Sequence, residues 1–307
     1  MTNDFHQLEW SAEIEDDLRQ LVRLAVREDL DRDHDWTTLA LVGPDQRGRA
    51  ALIVRETGVI AGLRAAPVLI DEMHAAIDWV AEIADGDGVV SGTVVAELSG
   101  SARDMLVCER PLLNLLGHLS GIATLTRKYV EQVAGTQAHV YDTRKTTPGW
   151  RRLDKYSVRC GGGRNHRTGL FDAVLIKDNH LALAASEGLT PAEAVRRARD
   201  FLQQSAAQRN SEPLLVEIEI DGLEQFEDVL RAAPDIILLD NMPPAALREA
   251  VGRRNALAPA IELEASGGVT LDTIREIAQT GVERISVGAL THSARALDIG
   301  LDWCSPA

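Results

Sequence analysis

A chain of 307 residues, 45% apolar and 26% charged, can bury a sizeable core as one large domain or two ordinary ones. Its formal net charge of −15 excludes a general nucleic-acid or anionic-membrane binder, because both need a broad basic face. Cys108, Cys160 and Cys304 lie far apart without a CxxC pair or zinc spacing. Neither a disulfide framework nor a structural metal is expected, and a reducing cytoplasm is the predicted setting. The N-terminus has no basic and apolar leader, and no apolar run approaches the ~18 residues of a membrane helix.

In chain order, 12–30 reads as a helix, 28–38 as a helix-ending loop lacking the spaced Gly and terminal Glu of an EF-hand, and 48–62 as strand. A helix near 65–76 and Gly-rich, β-branched hairpins over 78–100 complete an α+β domain. The hairpin sequence DGDGVVSGTVVAELSG is similar to lipoyl and biotinyl carriers, but these need an acceptor lysine at a hairpin tip and the first lysine is Lys128. A long helix over 101–135 follows, with Pro111 as a kink or a new first turn. From there strands at 138–143, 171–178, 213–220, 235–240, 260–266 and 283–289 alternate with helices at 190–204, 223–233, 243–254 and 270–281. Thr190, Pro191 and Glu193 form a capping-box start. Such alternation predicts a parallel sheet, closed or nearly closed into a barrel. A doubly wound open sheet competes, but no GxGxxG follows any strand, and polar residues recur at strand ends: Asp142, Lys177, Glu219, Asp240 and Ser266.

The chain has four lysines, Lys128, Lys145, Lys155 and Lys177, against 28 arginines. A lysine kept against such a bias is needed as a compact ammonium. Lys128 and Lys155 still read as surface or helix-flank charges, and His118 as a packed or interfacial histidine. Across 139–180 nine cations face four anions, a local +5 (9 − 4) in an acidic chain. Thr143, Arg144 and Lys145 follow one strand, His166 and Arg167 end the loop CGGGRNHR, and Lys177 ends the next strand: a cationic cup. Glu219 and Asp240 suit magnesium or ribose hydroxyls. The loops SGG (266–268) and VGA (287–289) stand where barrels bind phosphate. The implied substrates are polyanionic, one phosphate-rich and one a carboxylate.

DTRKTTPGWRRLDKYSVRCGGGRNHRTGLFDAVLIKDNH, with LLNLLGHLSGIAT, LLDNM and EASGGV, resembles the quinolinate phosphoribosyltransferase family, the decarboxylating nicotinate-nucleotide pyrophosphorylases of NAD biosynthesis, from about residue 12 to 302. The resemblance implies an α/β sandwich over 1–117 with a returning C-terminal tail (290–307), and a catalytic α/β barrel of fewer than eight strands over 118–289. It implies a quinolinate pocket of Arg144, His166, Arg167 and Lys177, completed by Arg110 from the other subunit of a homodimer, with Thr143 also among the substrate-binding residues. The phosphoribosyl pyrophosphate side would use Lys145, Lys177, Glu219 and Asp240, the catalytic set, with magnesium held by Glu219 and Asp240 directly or through water or substrate. The 5′-phosphate would rest on Ser266, Gly268, Gly288 and Ala289. The chain departs from the family at Trp150, Asp154 and Pro111. Three other readings stay open: an aldolase-like barrel with Lys145 or Lys177 as Schiff-base lysine, a non-catalytic phosphate-ligand sensor, and a related transferase acting on another aromatic acid, such as the molybdenum-transport-associated relatives.

Overall fold

Ile14, Leu18 and Val22 recur at helical spacing and are buried, so the first helix, α1 (Ala12–Leu30), carries one apolar stripe. The structure, a computed structural model, describes residues 4–186, 188–209 and 214–304. After α1 come α2 (Trp36–Leu41), β1 (Arg47–Val54), β2 (Gly58–Val59), α3 (Ala65–Glu72), β3 (Ile77–Ala81), β4 (Gly88–Val89), β5 (Val94–Ser101) and α4 (Ala102–Val133). Then follow β6 (His139–Tyr141), α5 (Arg151–Cys160), β7 (Val174–Ile176), α6 (Asp178–Ala185), α7 (Pro191–Arg209), β8 (Val216–Ile220), α8 (Phe226–Arg231) and β9 (Ile236–Asp240). The chain ends with α9 (Pro244–Leu257), β10 (Glu262–Ser266), α10 (Ile274–Ala278), β11 (Arg284–Ser286), α11 (Ala289–His292) and β12 (Ile299–Trp303). Contacts divide it into two units. One comprises Leu8–Arg127, Lys145–Gly163 and Leu290–Ala307, the other Met1–Gln7, Lys128–Arg144 and Arg164–Ala289.

The first unit is an antiparallel sheet in the order β12-β1-β5-β3, in which β12 pairs with β1 from Ala50↔Trp303 to Val54↔Ile299. Its core gathers Leu18, Leu52, Val95, Leu98, Met105, Leu116 and Leu119. Gly121 lets α4 approach residues 295–296: a Cβ there would stand 2.2 Å from the Arg295 carbonyl oxygen. Pro111 lies inside α4, which begins nine residues earlier at Ala102, so it starts no new helix. Lys155, expected at the surface, is wholly buried; its helix α5 turns the face 153–158 inward.

The second unit holds the parallel strands in the order β6-β11-β10-β9-β8-β7. From β7 to β11 each strand neighbours the next in sequence, and the first, β6, pairs with the last, β11. Such cyclic order belongs to a curling sheet, not to a doubly wound one. The unit is therefore an α/β barrel of fewer than eight strands; among the described residues no ladder joins β6 to β7. Outside β6 a single parallel bridge runs from Tyr141 to Arg164. Register places Glu219, Leu238, Glu264 and Arg284 side by side on one face, while Ile218, Ile237, Leu263 and Ile285 alternate onto the other and are buried. The capping box of α7 forms as read: Thr190 N donates to Glu193 Oε2 (2.7 Å) and Glu193 N to Thr190 Oγ1 (3.3 Å). The helix expected over 270–281 shortens to α10 because Thr270 and Thr273 bond each other's backbone and hydroxyls in a preceding turn.

Candidate active site

Every candidate of the barrel unit stands at a C-terminal strand end. Thr143 and Arg144 follow β6, Lys177 follows β7, Glu219 and Asp240 lie in the last turns of β8 and β9, Ser266 ends β10, and Gly288 and Ala289 follow β11. His166 and Arg167 come two and three residues after the bridge residue Arg164. Arg110 and Lys145 belong to the other unit.

The cationic side rests on two arginines. Arg144 Nε and Arg167 Nε are both buried without a hydrogen-bond partner, while Arg167 Nη1 donates to the Ala173 carbonyl (3.2 Å). Burial, and then the like charge of Arg144, lower the pKa of Arg167. Buried donors without an acceptor on two mutually repelling guanidiniums are costly, and a planar carboxylate relieves both costs. Lys177 is half-exposed; its Nζ lies 2.5 Å from Glu219 Oε2, and its backbone N–H donates to His180 Nδ1 (3.0 Å).

The acidic side is a cleft of about 540 Å³ whose lining includes Asp178, Glu219, Asp221, Glu224 and Asp240. Asp240 Oδ2 accepts from Asn241 Nδ2 (2.8 Å), and Asn241 N donates to the Ser266 carbonyl (2.8 Å). Gly267 (φ +92°) and Gly268 (φ +60°) turn the next loop in the left-handed region, and a Cβ on Gly267 would meet Asn241 Oδ1 at 2.2 Å. Such hard carboxylate oxygens fit magnesium, and a cleft so acidic needs a cation before it can take a polyphosphate.

Beneath the mouth the barrel is charged. His166 Nε2 lies 3.1 Å from Glu217 Oε2 and 3.5 Å from Glu264 Oε1, and its Nδ1 accepts from the Arg167 backbone N–H (2.8 Å). These three side chains bring ligand atoms within 4.8 Å of one another, although the separation from Glu217 is already that of a hydrogen bond. Burial pushes the Glu217 carboxyl up to about 7, against the opposing pull of Arg284, Arg167 and Lys177; burial also raises Glu264. Arg284, 1% exposed, reaches Glu264 Oε2, Glu262 Oε2 and Asp4 Oδ1, each at 3.0 Å, and stacks over the Tyr141 ring at 3.8 Å. Burial alone would lower the Arg284 pKa, but Glu264, Tyr141, Asp4 and Glu217 outweigh it and raise it. Sequence reasoning misses this layer, although Glu262 and Glu264 alternate in IELEAS as Glu217 and Glu219 do in VEIEI.

In the other unit the Lys145 carbonyl accepts from Thr291 Oγ1 (2.8 Å). Arg110 is 67% exposed and pairs with Glu109 (2.9 Å). Two of the unusual residues meet at one histidine: Asp154 Oδ1 lies 2.8 Å from His118 Nε2, and the Trp150 ring meets the His118 ring edge-on at 5.1 Å. His118 is thus a packed residue.

Residues 35–120 match the N-terminal domain of quinolinate phosphoribosyl transferase and residues 122–302 its C-terminal domain. The chain belongs to the quinolinate phosphoribosyltransferase family. A nicotinate-nucleotide pyrophosphorylase [carboxylating] of Mycobacterium leprae is 44% identical to it, over 94% of this chain and 97% of that one. A probable enzyme of the same name from Bacillus subtilis is 40% identical over 87% of each. Among solved structures, the nicotinate-nucleotide pyrophosphorylase of Francisella tularensis superposes with TM-score 0.86 at 34% identity, over 98% of this chain and 100% of that one. NadC from Streptococcus pyogenes gives 0.83 at 34%, over 97% and 100%. This quinolinate phosphoribosyltransferase family member shares both units of the fold with them.

Proposed function

We infer that the protein transfers phosphoribose from phosphoribosyl pyrophosphate to quinolinate with loss of carbon dioxide, giving nicotinate mononucleotide and pyrophosphate in NAD biosynthesis. The observation that carries the site assignment is the pair of mutually repelling guanidiniums of Arg144 and Arg167, each with an unpartnered Nε, a receptor for a dicarboxylate. We assign Thr143, Arg144, His166, Arg167 and Lys177 to quinolinate, and Lys145, Lys177, Glu219 and Asp240 to phosphoribosyl pyrophosphate. Ser266, Gly268, Gly288 and Ala289 receive the 5′-phosphate.

The pyridine nitrogen attacks C1′ as pyrophosphate leaves, so the protein must hold the two reactants in line and neutralise charge on the departing group. Lys145 and Lys177 serve the leaving group, and Glu219 stabilises the cationic ribosyl centre. The 2.5 Å Lys177–Glu219 contact supports this reading, because it places an ammonium and a carboxylate side by side at the strand ends. Magnesium, when bound beside Glu219 and Asp240, supplies further neutralisation of the pyrophosphate. Once ribosylated, the ring nitrogen is cationic and accepts the electrons released by the 2-carboxylate, so decarboxylation needs no Schiff base.

Arg110 we assign to the site of a second subunit in a homodimer; its exposure supports that role. Free cysteines, one of them exposed, support a cytoplasmic setting, and no helix among the described residues is long and apolar enough to cross a membrane. The test is product analysis with magnesium and phosphoribosyl pyrophosphate, offering quinolinate or nicotinate. Mononucleotide and carbon dioxide in equal amounts from quinolinate alone are expected; no product from quinolinate overturns the reading. Lys145→Ala and Lys177→Ala each lower turnover at least ~100-fold, the cost of removing one preorganised charge; near-normal turnover in either removes that lysine from the chemistry.

A further inference from the structure

We propose that residues 4–7 are a positioning element of the acid-binding site, acting through His166. The inference rests on the reading that His166 and Arg167 meet the acid substrate.

The Phe5 ring lies 4.3 Å from the His166 ring, tilted by 31°, and packs with Ala173 and Ile236, which stand at the N-terminal ends of β7 and β9. Phe5 is thus the floor on which the imidazole rests. Gln7 grips the neighbouring residue at two points: its Oε1 accepts from Asn165 N (2.8 Å), and its Nε2 donates to the Asn165 carbonyl (3.0 Å). From the opposite side Asp142, at the end of β6, accepts from Asn165 Nδ2 (2.6 Å) and from His166 N (2.9 Å). Residues 165–166 are therefore clamped between a strand end and a segment about 158 positions away in sequence. The segment is itself latched, because Asp4 accepts from Tyr141 Oη (3.0 Å) and from the guanidiniums of Arg164 (3.2 Å) and Arg284 (3.0 Å).

A plug that only filled volume would need Phe5 alone. The two-point grip of Gln7 on the backbone N–H and C=O of Asn165 holds both peptide groups flanking that residue and so fixes rotation, which packing leaves loose. The arrangement holds the imidazole edge toward Glu217 and Glu264 and sets where the chain delivers Arg167. Loss of the grip is expected to cost affinity for the acid while leaving the phosphoribosyl side intact.

The experiment is steady-state kinetics on the full chain carrying Phe5→Ala, Phe5→Tyr, Gln7→Ala or His166→Asn, with KM measured separately for quinolinate and phosphoribosyl pyrophosphate. Phe5→Ala and Gln7→Ala should raise KM for quinolinate roughly tenfold or more, with KM for phosphoribosyl pyrophosphate within about twofold of wild type. Phe5→Tyr, which keeps the ring, should restore most of the loss. If both alanine variants lower only the amount of active enzyme and leave both KM values unchanged, the segment is merely structural and the proposal fails. Gln7→Ala removes an incompletely buried carboxamide, so it remains informative if Phe5→Ala does not fold. His166→Asn separates the two readings: unchanged KM for quinolinate in that variant removes His166 from the substrate site, whereas a raised KM there with unchanged Gln7→Ala and Phe5→Ala overturns the positioning role alone.

Discussion

The two units of this chain fill their interiors with opposite materials. The sandwich is packed with Leu52, Leu98, Leu116 and their neighbours, and its stability follows from apolar area removed from water. The barrel interior instead links Asp4 and Glu264 through Arg284, and Glu264 and Glu217 through His166. Apolar side chains of the same volume would serve stability as well or better, since desolvating ions cancels much of their attraction. A charged interior is therefore a sign that the barrel is built around what lies at its mouth: Glu217 and Glu264 hold the edge of His166.

The largest stability effect expected from this contrast is at Arg284. Arg284→Met leaves Glu262, Glu264 and Asp4 without their shared cation and should lower stability by about 3–5 kcal/mol, read as a shift in urea midpoint. A loss below about 1 kcal/mol would mean that the guanidinium is not what holds these side chains together, and the picture of an ionic interior would be wrong.

Glu217 gives the next effect, and its sign is fixed by the direction of its shift. The carboxyl titrates near the ordinary 4.5 when unfolded and at about 7 when folded, so between those values the folded state holds the extra proton. Its contribution is complete below pH 4.5 and is lost as pH rises through 7, a decline on the order of 3 kcal/mol. In Glu217→Gln the fall in melting temperature across that window should flatten relative to wild type. An unchanged slope would assign the pH dependence to other groups.

The mouth of the barrel is legible in the sequence and its floor is dark, for a physical reason. Polar residues at the ends of apolar strands stand out, so Lys177, Glu219, Asp240 and Ser266 can be placed from the strand pattern alone. The strands themselves are legible because apolar runs are bounded by turns, whereas α10 reads longer than it is because side-chain bonds in the turn before it compete with helix. Residues 4–7 carry no local signal: their partners lie 137 to 280 positions away, and such contacts exist only after the barrel closes. Lys155 reads as a surface charge because a lysine on a short helix is solvent-facing by default, and its burial depends on packing that no local pattern reports.

The smallest effect isolates burial from charge. Arg231 repeats the chemistry of Arg284 on the surface of the same unit, pairing with Asp228 (2.9 Å) and Glu227 (3.3 Å) along α8 while its side chain stays 61% exposed. Water solvates all three groups whether or not they touch, and salt screens the remainder, so Arg231→Ala should cost only a few tenths of a kcal/mol and less at 1 M salt. The same guanidinium and the same carboxylates thus differ about tenfold in consequence between two places in one unit. Should Arg231→Ala approach the cost of Arg284→Met, the difference would lie in helix α8 itself and not in solvent exclusion, and a charged interior would no longer mark a site.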